Sequence, residues 1–270
     1  MMLIRRLLIF LTLGTLLCGT ANAGQRSFQL RFGYLDDPGS APVLLAAEHG
    51  YFKRERLSVT LVKFDSVDKG VAALAAGKIE AGAFPAGDVL RTIAGSGDLQ
   101  IVAGGGTPMP GELLAELDRS AQSELRAREM VTVINSGKTA GTKETATRLV
   151  KALIRAHQQL QQHETKSLQS IKHHLSHQPL PGAYRFDPNP DYYRFAATWE
   201  DLGLQKPGMR RDHLNSHVYE EIYCDALDRA LDEDPQNEVL QKLSSVAVCI
   251  PDCCPDAKKR KNKTSKGATP

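Results

Sequence analysis

Catalytic motifs and long apolar runs are both scarce in this 270-residue sequence, and each absence excludes a class of protein. No G-x-S-x-G, H-E-x-x-H or P-loop motif is present, so the signatures of an α/β-hydrolase, a zincin and a P-loop nucleotidase are missing. Beyond residue 23 no apolar run is long enough to span a bilayer. The composition, with 41% hydrophobic and 24% charged residues, is that of an ordinary globular protein. We therefore expect a protein that is not an enzyme.

Basic residues are in small excess over acidic ones, with 34 Lys and Arg against 31 Asp and Glu. The net charge is +3, and two of the positive charges belong to Arg5 and Arg6. The stretch 258–266 holds six basic residues and no acid, whereas residues 24–256 hold 26 basic and 31 acidic residues. This distribution gives no electrostatic footprint for nucleic acid. We expect residues 248–270 to form a disordered, solubilising tail, with attachment to anionic lipid or to an acidic partner as the alternative.

The first 23 residues have the pattern of a secretory signal peptide. A positive start, MMLIRR, precedes the apolar run LLIFLTLGTLL, and ANA at 21–23 is a small-x-small cleavage site. Cys18 follows Leu17, where a lipoprotein signal has a small residue, which disfavours lipidation. We expect cleavage after Ala23 and a periplasmic mature protein.

Strand patterns alternate with helix patterns over the next 80 residues. The predicted strands are 28–35, 57–64, 79–84 and 99–104. The predicted helices are 41–56, with an end expected near Gly50, 67–77 and 87–95. Strands and helices that alternate in units this short predict an α/β fold with a mostly parallel, doubly wound sheet. A helical C-terminal region follows.

Three motifs in this part carry a family resemblance: GYF at 50–52, ALAAGKIEAG at 73–82 and IVAGG at 101–105. In this order and spacing the chain resembles the first lobe of the nitrate/sulfonate/taurine-type substrate-binding proteins of ABC importers. The resemblance returns more weakly at 130–134, 144–163 and 192–204. It implies a type II periplasmic-binding-protein fold, a small organic or inorganic anion as ligand, and the membrane component of an importer as partner.

The glycine triplet at 104–106 raises the question of a phosphate-binding loop. A G-x-G-x-x-G register starting at Gly104 places Met109 at the third glycine, so the triplet is not a dinucleotide fingerprint. In the resembled family the chain here leaves the first lobe to build a second, which needs on the order of 100 residues. Only 24 residues, Thr107 to Met130, are present before the returning strand, and they are read as one helix with Leu113, Leu114, Leu117 and Leu125 as its buried face.

The second lobe is therefore expected to be missing, and a partner or a second copy would have to complete the cleft. The predicted division is a signal peptide at 1–23, a first-lobe α/β half at 24–106, a short helical replacement at 107–130, a returning strand and helices at 131–247, and the cysteine-containing basic tail at 248–270.

The resemblance places the ligand at the loops that follow the C-terminal ends of the strands, as is general for open α/β sheets. The ligand-binding candidates are Tyr34, Leu35, Gly39, Ser40, Ser66, Pro85, Ala86 and Gly87. The alternative is that Ser40, Ser66 and Asp88 only cap helices. Asp88 also lies where an anion would bind, which disfavours a strong anion site there.

Histidines and cysteines supply the alternative chemistry. His173 and His177, and likewise His213 and His217, are spaced i,i+4, which on a helix places two imidazoles on one face as metal ligands for copper, zinc or nickel. Otherwise these histidines form a solvated polar face. The four cysteines of the mature chain are candidates for disulfides of undetermined pairing, or for a thiolate metal site: Cys224, Cys249, Cys253 and Cys254.

Three functional hypotheses therefore remain open, and the third of them is an accessory structural protein with no small ligand. The first is solute binding for an ABC importer, modified by loss of the second lobe and needing no cofactor. The second is a periplasmic metal-handling or partner-interaction protein that uses the histidine and cysteine clusters on the retained scaffold.

Overall fold

A five-stranded sheet organises the part of the chain that this computed structural model describes, namely residues 27–96, 98–108, 117–177, 181–207, 209 and 213–247. Its strands are β1 (Phe28–Leu35), β2 (Leu57–Phe64), β3 (Ala81–Pro85), β4 (Leu99–Ala103) and β6 (Met130–Asn135). A separate pair of short strands, β5 (Gly106–Pro108) and β7 (Tyr184–Phe186), forms a second, antiparallel sheet.

The strand order in the large sheet is β2-β1-β3-β6-β4. β1 pairs in parallel with β2 and β3, whereas β6 runs antiparallel between β3 and β4. All six residues of β6 are buried, as expected for a central strand covered on both faces. The predicted α/β class with a mostly parallel sheet is confirmed.

Helices cover the sheet and continue into the C-terminal region. They are α1 (Ala41–Glu48), α2 (Tyr51–Arg54), α3 (Val67–Ala75), α4 (Ala86–Ser96), α5 (Arg119–Arg128), α6 (Thr142–Ser170), α7 (Tyr192–Asp201), α8 (Glu220–Glu233) and α9 (Glu238–Val246). The 3-10 turns are Pro38–Ser40, Lys172–His174 and Leu214–His217. α6 packs against α1 and α8 and is interrupted by non-helical backbone at His163. No helix within the described ranges is long and apolar enough to cross a membrane.

The segment between β4 and β6 differs from the single helix that the sequence predicted. It starts with a strand, β5, and its described helix, α5, begins only at Arg119, where Asp118 accepts a hydrogen bond from the Ala121 amide. Leu117 and Leu125 are half-buried, whereas Leu113 and Leu114 lie outside the described residues. The leucine spacing did not predict the strand because β5 is stabilised by a distant partner, β7.

The glycine triplet 104–106 lies where three other backbone segments approach it closely. A Cβ on Gly104 would lie 2.7 Å from the Asn189 carbonyl oxygen. On Gly105 it would lie 2.7 Å from the Met130 oxygen, and on Gly106 it would lie 2.7 Å from the Cα of Gly39. Such distances are shorter than van der Waals contact allows, and backbone neighbours cannot rotate away as side chains can. The triplet is therefore required for chain packing.

Two backbone hydrogen bonds use this close approach to attach the C-terminal half of the chain to the sheet. The Gly104 amide donates to the Pro188 oxygen at 3.0 Å, and the Asp187 amide donates to the Gly105 oxygen at 2.8 Å. The segment 187–189 is thereby fixed at the end of β4.

We expect Gly104→Ala to lower the free energy of unfolding by about 1–3 kcal/mol, the usual cost of adding volume where the surroundings cannot move. Gly95→Ala is the matched control, because Gly95 is an exposed residue of α4 with nothing within 4 Å of its Cβ position. Alanine in a helix should stabilise it by about 0.5–1 kcal/mol. Urea denaturation of both variants measures the difference, and equal effects at the two glycines would contradict the packing role.

Candidate functional site

A groove lies between α6, the segment 185–191 and α9, next to a small cavity at the edge of the large sheet where the parallel strands end. β1 and β3 end at that edge at Leu35 and Pro85, and β6, which runs the other way, begins there at Met130. The groove has a volume of about 540 Å³, within the range of small-molecule sites. Its walls come from α6, from the segment 185–191 that the glycine triplet holds, from the start of α7, and from α9.

Charged side chains dominate the polar lining of this groove. Arg185, Arg194 and Lys242 supply three positive charges, and Asp187 and Asp191 supply two carboxylates. Both carboxylates are already engaged: Asp187 accepts from the Asn189 amide at 3.0 Å and from Arg185 at 3.2 Å, and Asp191 caps α7. Within the described part of the chain, the Lys242 ammonium has no carboxylate partner. The lining of the groove therefore carries one more positive than negative charge.

His157 forms the inner wall of the groove. It lies on the otherwise apolar face of α6 between Leu153 and Leu160, and its side chain is 7% exposed. Burial lowers the pKa of His157 to about 4, with Asp187 acting in the opposite direction and Lys242 in the same direction. The imidazole is therefore neutral at physiological pH. Its buried Nδ1 has no hydrogen-bond partner in the described structure, which is unusual for a buried polar atom.

Arg194 is held by a buried ion pair. Its guanidinium donates to the carboxylate of Glu129. This glutamate is 2% exposed and immediately precedes β6. Burial raises the pKa of Glu129, although Arg194 opposes this shift. The pair ties the start of α7 to the sheet edge, so Arg194 has a structural role besides facing the groove.

A smaller cavity adjoins the groove through His157, Phe186 and Asp187. Gly39 and Ser40, two of the predicted ligand-binding residues, line it. The volume open to the centre of a water molecule is about 20 Å³, which is enough for about one water and too little for an organic ligand.

Tyr34, Leu35 and Ser66 lie at the same edge of the sheet, and the hydroxyls of Ser66 and Ser40 each have a protein partner. Ser66 caps α3 by accepting from the Lys69 amide, and the Ser40 hydroxyl donates to the Leu35 carbonyl at 3.0 Å. Tyr34 and Leu35 are buried. These contacts match the capping alternative at Ser66 but not at Ser40, which makes no side-chain cap.

The loop after β3 is covered by α5. The Ala86 amide donates to the Glu129 carbonyl at 2.7 Å, and a Cβ on Gly87 would lie 3.1 Å from Ala127. Pro85 is half-buried, and Asp88 forms an ion pair with Arg91 at 3.1 Å. The start of α4 therefore faces protein.

The spacing of the two histidine pairs predicted α-helices, but neither pair lies on a regular α-helix. The 3-10 turn Lys172–His174 ends before His177, which is exposed. His213 and His217 have ring centroids 4.8 Å apart, and the His217 Nδ1 lies 2.7 Å from the Leu99 carbonyl oxygen of β4. His173 instead lies near Glu48 on the side of β2, the opposite edge strand, so the two pairs are not brought together.

Of the cysteines, only Cys224 lies within the described residues, where it is buried in α8. Cys249, Cys253 and Cys254 lie outside them, as do the basic tail and the signal peptide. The disulfide and thiolate hypotheses therefore stay predictions.

The groove residues were not among the candidates from the sequence. His157 had a usable signal, because it interrupts the leucine-rich face of the helix predicted at 144–163. Arg185, Arg194 and Lys242 gave none, since they are ordinary surface residues until the fold brings three separate segments together.

Comparison with known proteins agrees with the resemblance seen in the sequence. Residues 23–132 match the model of the NMT1-like family. No curated protein matches the sequence.

Solved structures with the periplasmic-binding-protein fold are similar to this chain. The periplasmic nitrate-binding protein NrtA from Synechocystis PCC 6803 is 10% identical with a TM-score of 0.57, covering 83% of this chain and 99% of its own. The ligand-binding component of an ABC-type import system from Staphylococcus aureus, with zinc bound, is 13% identical with a TM-score of 0.55, covering 74% and 99%. The Candida albicans CA3427 gene product is 12% identical with a TM-score of 0.54, covering 70% and 95%. The predicted resemblance and fold are thus confirmed.

His157 generates a prediction about pH. Its pKa is about 4 in the folded protein and about 6.5 when unfolded, so between these values only the unfolded chain takes up the proton. Above pH 6.5 the free energy of unfolding is therefore unaffected by protonation of His157, and it falls by about 1.4 kcal/mol per pH unit as the pH drops towards 4. We expect His157→Gln to flatten the acid side of the stability profile.

Urea denaturation at several pH values between 4 and 7 measures this slope. His177→Gln is the matched control, because His177 is exposed. Protonation of carboxylates with a lowered pKa, such as Asp36, also destabilises the protein in acid. The free energies of unfolding of the variants are therefore compared at each pH. An unchanged slope in His157→Gln would show that the imidazole is not buried as described.

Proposed function

We propose that this protein is a periplasmic, non-enzymatic solute-binding protein of the type that serves ABC importers, and that it binds a small anion in this groove. The observation that supports the proposal most is the groove itself, which combines a suitable volume with cationic side chains and adjoins the strand-end edge at which open α/β sheets bind ligands. The match of residues 23–132 to the NMT1-like family supports the assignment.

The charges of the groove favour an anion over a cation. Among the described residues Lys242 has no carboxylate partner, and both groove carboxylates already accept hydrogen bonds from this chain. The neutral imidazole of His157 can offer one further hydrogen bond to the ligand at no electrostatic cost. A sulfonate, carboxylate or nitrate group fits this set of donors.

We also infer that the second lobe of the resembled family is absent. The described parts of the segment between β4 and β6 pack on both halves of the chain, since α5 packs against α4, β5 pairs with β7, and Arg126 of α5 bonds Asp201 of α7 at 2.6 Å. A one-lobed protein leaves its ligand partly in water, where each polar contact is weaker. Binding in isolation is then weak, and the importer's membrane component or another protein is needed to close the groove.

Isothermal titration calorimetry with nitrate, taurine and a short alkanesulfonate tests the anion site. We expect saturable binding of at least one of them, weakened about tenfold by Lys242→Met, since one charge-assisted contact contributes about 1.4 kcal/mol. Lys53→Met is the matched control, because Lys53 is an exposed lysine of α2 outside the groove.

Two results would count against the anion site. Wild-type affinity in Lys242→Met would move the ligand away from the groove. The absence of saturable binding by all three anions, in protein whose thermal unfolding is cooperative, would reject solute binding of this class by the isolated chain.

Export generates a separate prediction. If residues 1–23 are a signal peptide, protein expressed with its full leader in a Gram-negative host should be recovered from the periplasm with Gly24 as its first residue. Intact-mass measurement decides this. Ala23→Leu, which removes the small residue of the cleavage site, should retain the leader, whereas a wild-type mass that includes residues 1–23 would reject the assignment.

A further inference from the structure

A second cluster of ligating side chains lies on the opposite side of the sheet from β4. Glu48 ends α1, and His173 and His174 lie in the short 3-10 turn after α6. The Nε2 atoms of both histidines are 3.8 Å from the same oxygen of Glu48, Oε2. One ligand atom from each residue can be chosen so that all three lie within 4.8 Å of one another.

The geometry points to a binding site for a divalent transition-metal ion at Glu48, His173 and His174, which we propose as a site separate from the anion groove. Two imidazoles and one carboxylate form a donor set that suits zinc, copper(II) and nickel. The sequence pointed to His173 as a ligand but paired it with His177. The structure replaces His177 with His174 and adds a carboxylate.

The distances are close to those of a metal site. Metal–ligand bonds of about 2.0–2.2 Å place donor atoms about 3.3–3.5 Å apart in a tetrahedral site. The two histidine–glutamate distances of 3.8 Å therefore need to close by about half an ångström. Glu48 and His173 are exposed and His174 is partly buried, so rotation of the side chains can supply this movement and a water molecule can take a fourth position.

The turn that carries the histidines is fixed on both sides. Ile171 and Leu175, which flank it, are buried, and the His174 amide donates to the Ile171 carbonyl at 3.0 Å. Just beyond, the Ser176 amide donates to the Asp36 carboxylate at 2.7 Å. The backbone that carries the two imidazoles is therefore fixed by contacts outside the site itself, and their ring centroids lie 4.0 Å apart.

Charges around the cluster are compatible with a bound cation. Lys63 is paired with Asp36 at 2.9 Å, so its charge is offset, and Lys172, which precedes His173 in the turn, is exposed. His49, the residue after Glu48, contacts Ser170 and stacks on Tyr51, and it is not one of the three donors. Glu48 has no other ion pair within the described part of the chain, so its carboxylate is available to the metal.

Calorimetric titration of mature, tag-free protein with Zn²⁺, Cu²⁺ and Ni²⁺ tests the site. We expect one saturable site for at least one ion, weakened at least about tenfold by His173→Ala and by His174→Ala, with a smaller loss in Glu48→Gln. His177→Ala is the matched control, because His177 is an exposed histidine three residues beyond the turn. Circular dichroism melting of each variant checks that the fold is retained.

Titration with Co²⁺ separates this site from a cysteine site, because thiolate ligands give charge-transfer absorption and a histidine–carboxylate site does not. Absorption without a thiolate band that is lost in His174→Ala supports the proposal. Binding that survives in both His173→Ala and His174→Ala, or no saturable binding of any of these ions, overturns it. Neither result bears on anion binding at Lys242, which lies in a different part of the fold.

Discussion

The close approach of backbones at Gly104–Gly106 determines how the two halves of the chain meet. Side chains at these positions would overlap the segment 187–189, the Met130 backbone and Gly39. Because these positions carry no side chains, Gly104 and Gly105 can each form a backbone hydrogen bond with the residues that follow β7. One wall of the candidate groove consists of this attached segment, so the position of Arg185 and Asp187 follows from three glycines that bind no ligand. A glycine run at a strand end here reflects packing, although the same composition in another context would form a phosphate loop.

The attached segment also sets the electrostatics of the groove. It brings Asp187 near a histidine on α6, and burial of that histidine keeps it neutral despite the carboxylate. The buried pair of Glu129 and Arg194 joins α7 to the same edge, so one of the three cations is partly committed to the fold. Arg185 is likewise paired with Asp187, so the net attraction for an anion depends mainly on Lys242, which is exposed. Exposed charges act through water and are screened by salt, so the attraction that they exert on an anion is weak and falls with ionic strength.

The sequence predicted the sheet well and the groove poorly, and the reason is the range of the interactions involved. Strands such as 57–64 and helices such as 67–75 are encoded by local periodicity and a serine cap, and they were predicted nearly to the residue. β5 and β7 are three residues each and exist only through their mutual pairing, so no local pattern marks them. The groove combines residues from positions 157, 185, 194 and 242. Only His157, which interrupts an apolar helix face, could have been identified from the sequence pattern.

The histidine spacing also shows how little a local sequence pattern predicts about a site. An i,i+4 pair indicates a shared face only on an α-helix, and α6 ends at Ser170, before His173. The chain then makes a 3-10 turn, in which adjacent residues His173 and His174 both point to Glu48 on another helix. Burial of Ile171 and Leu175 fixes that turn, so apolar packing decides which imidazoles can act together. The spacing of ligating residues thus acquires meaning only once the local backbone geometry is known, because a change from 3.6 to 3.0 residues per turn alters which side chains are neighbours.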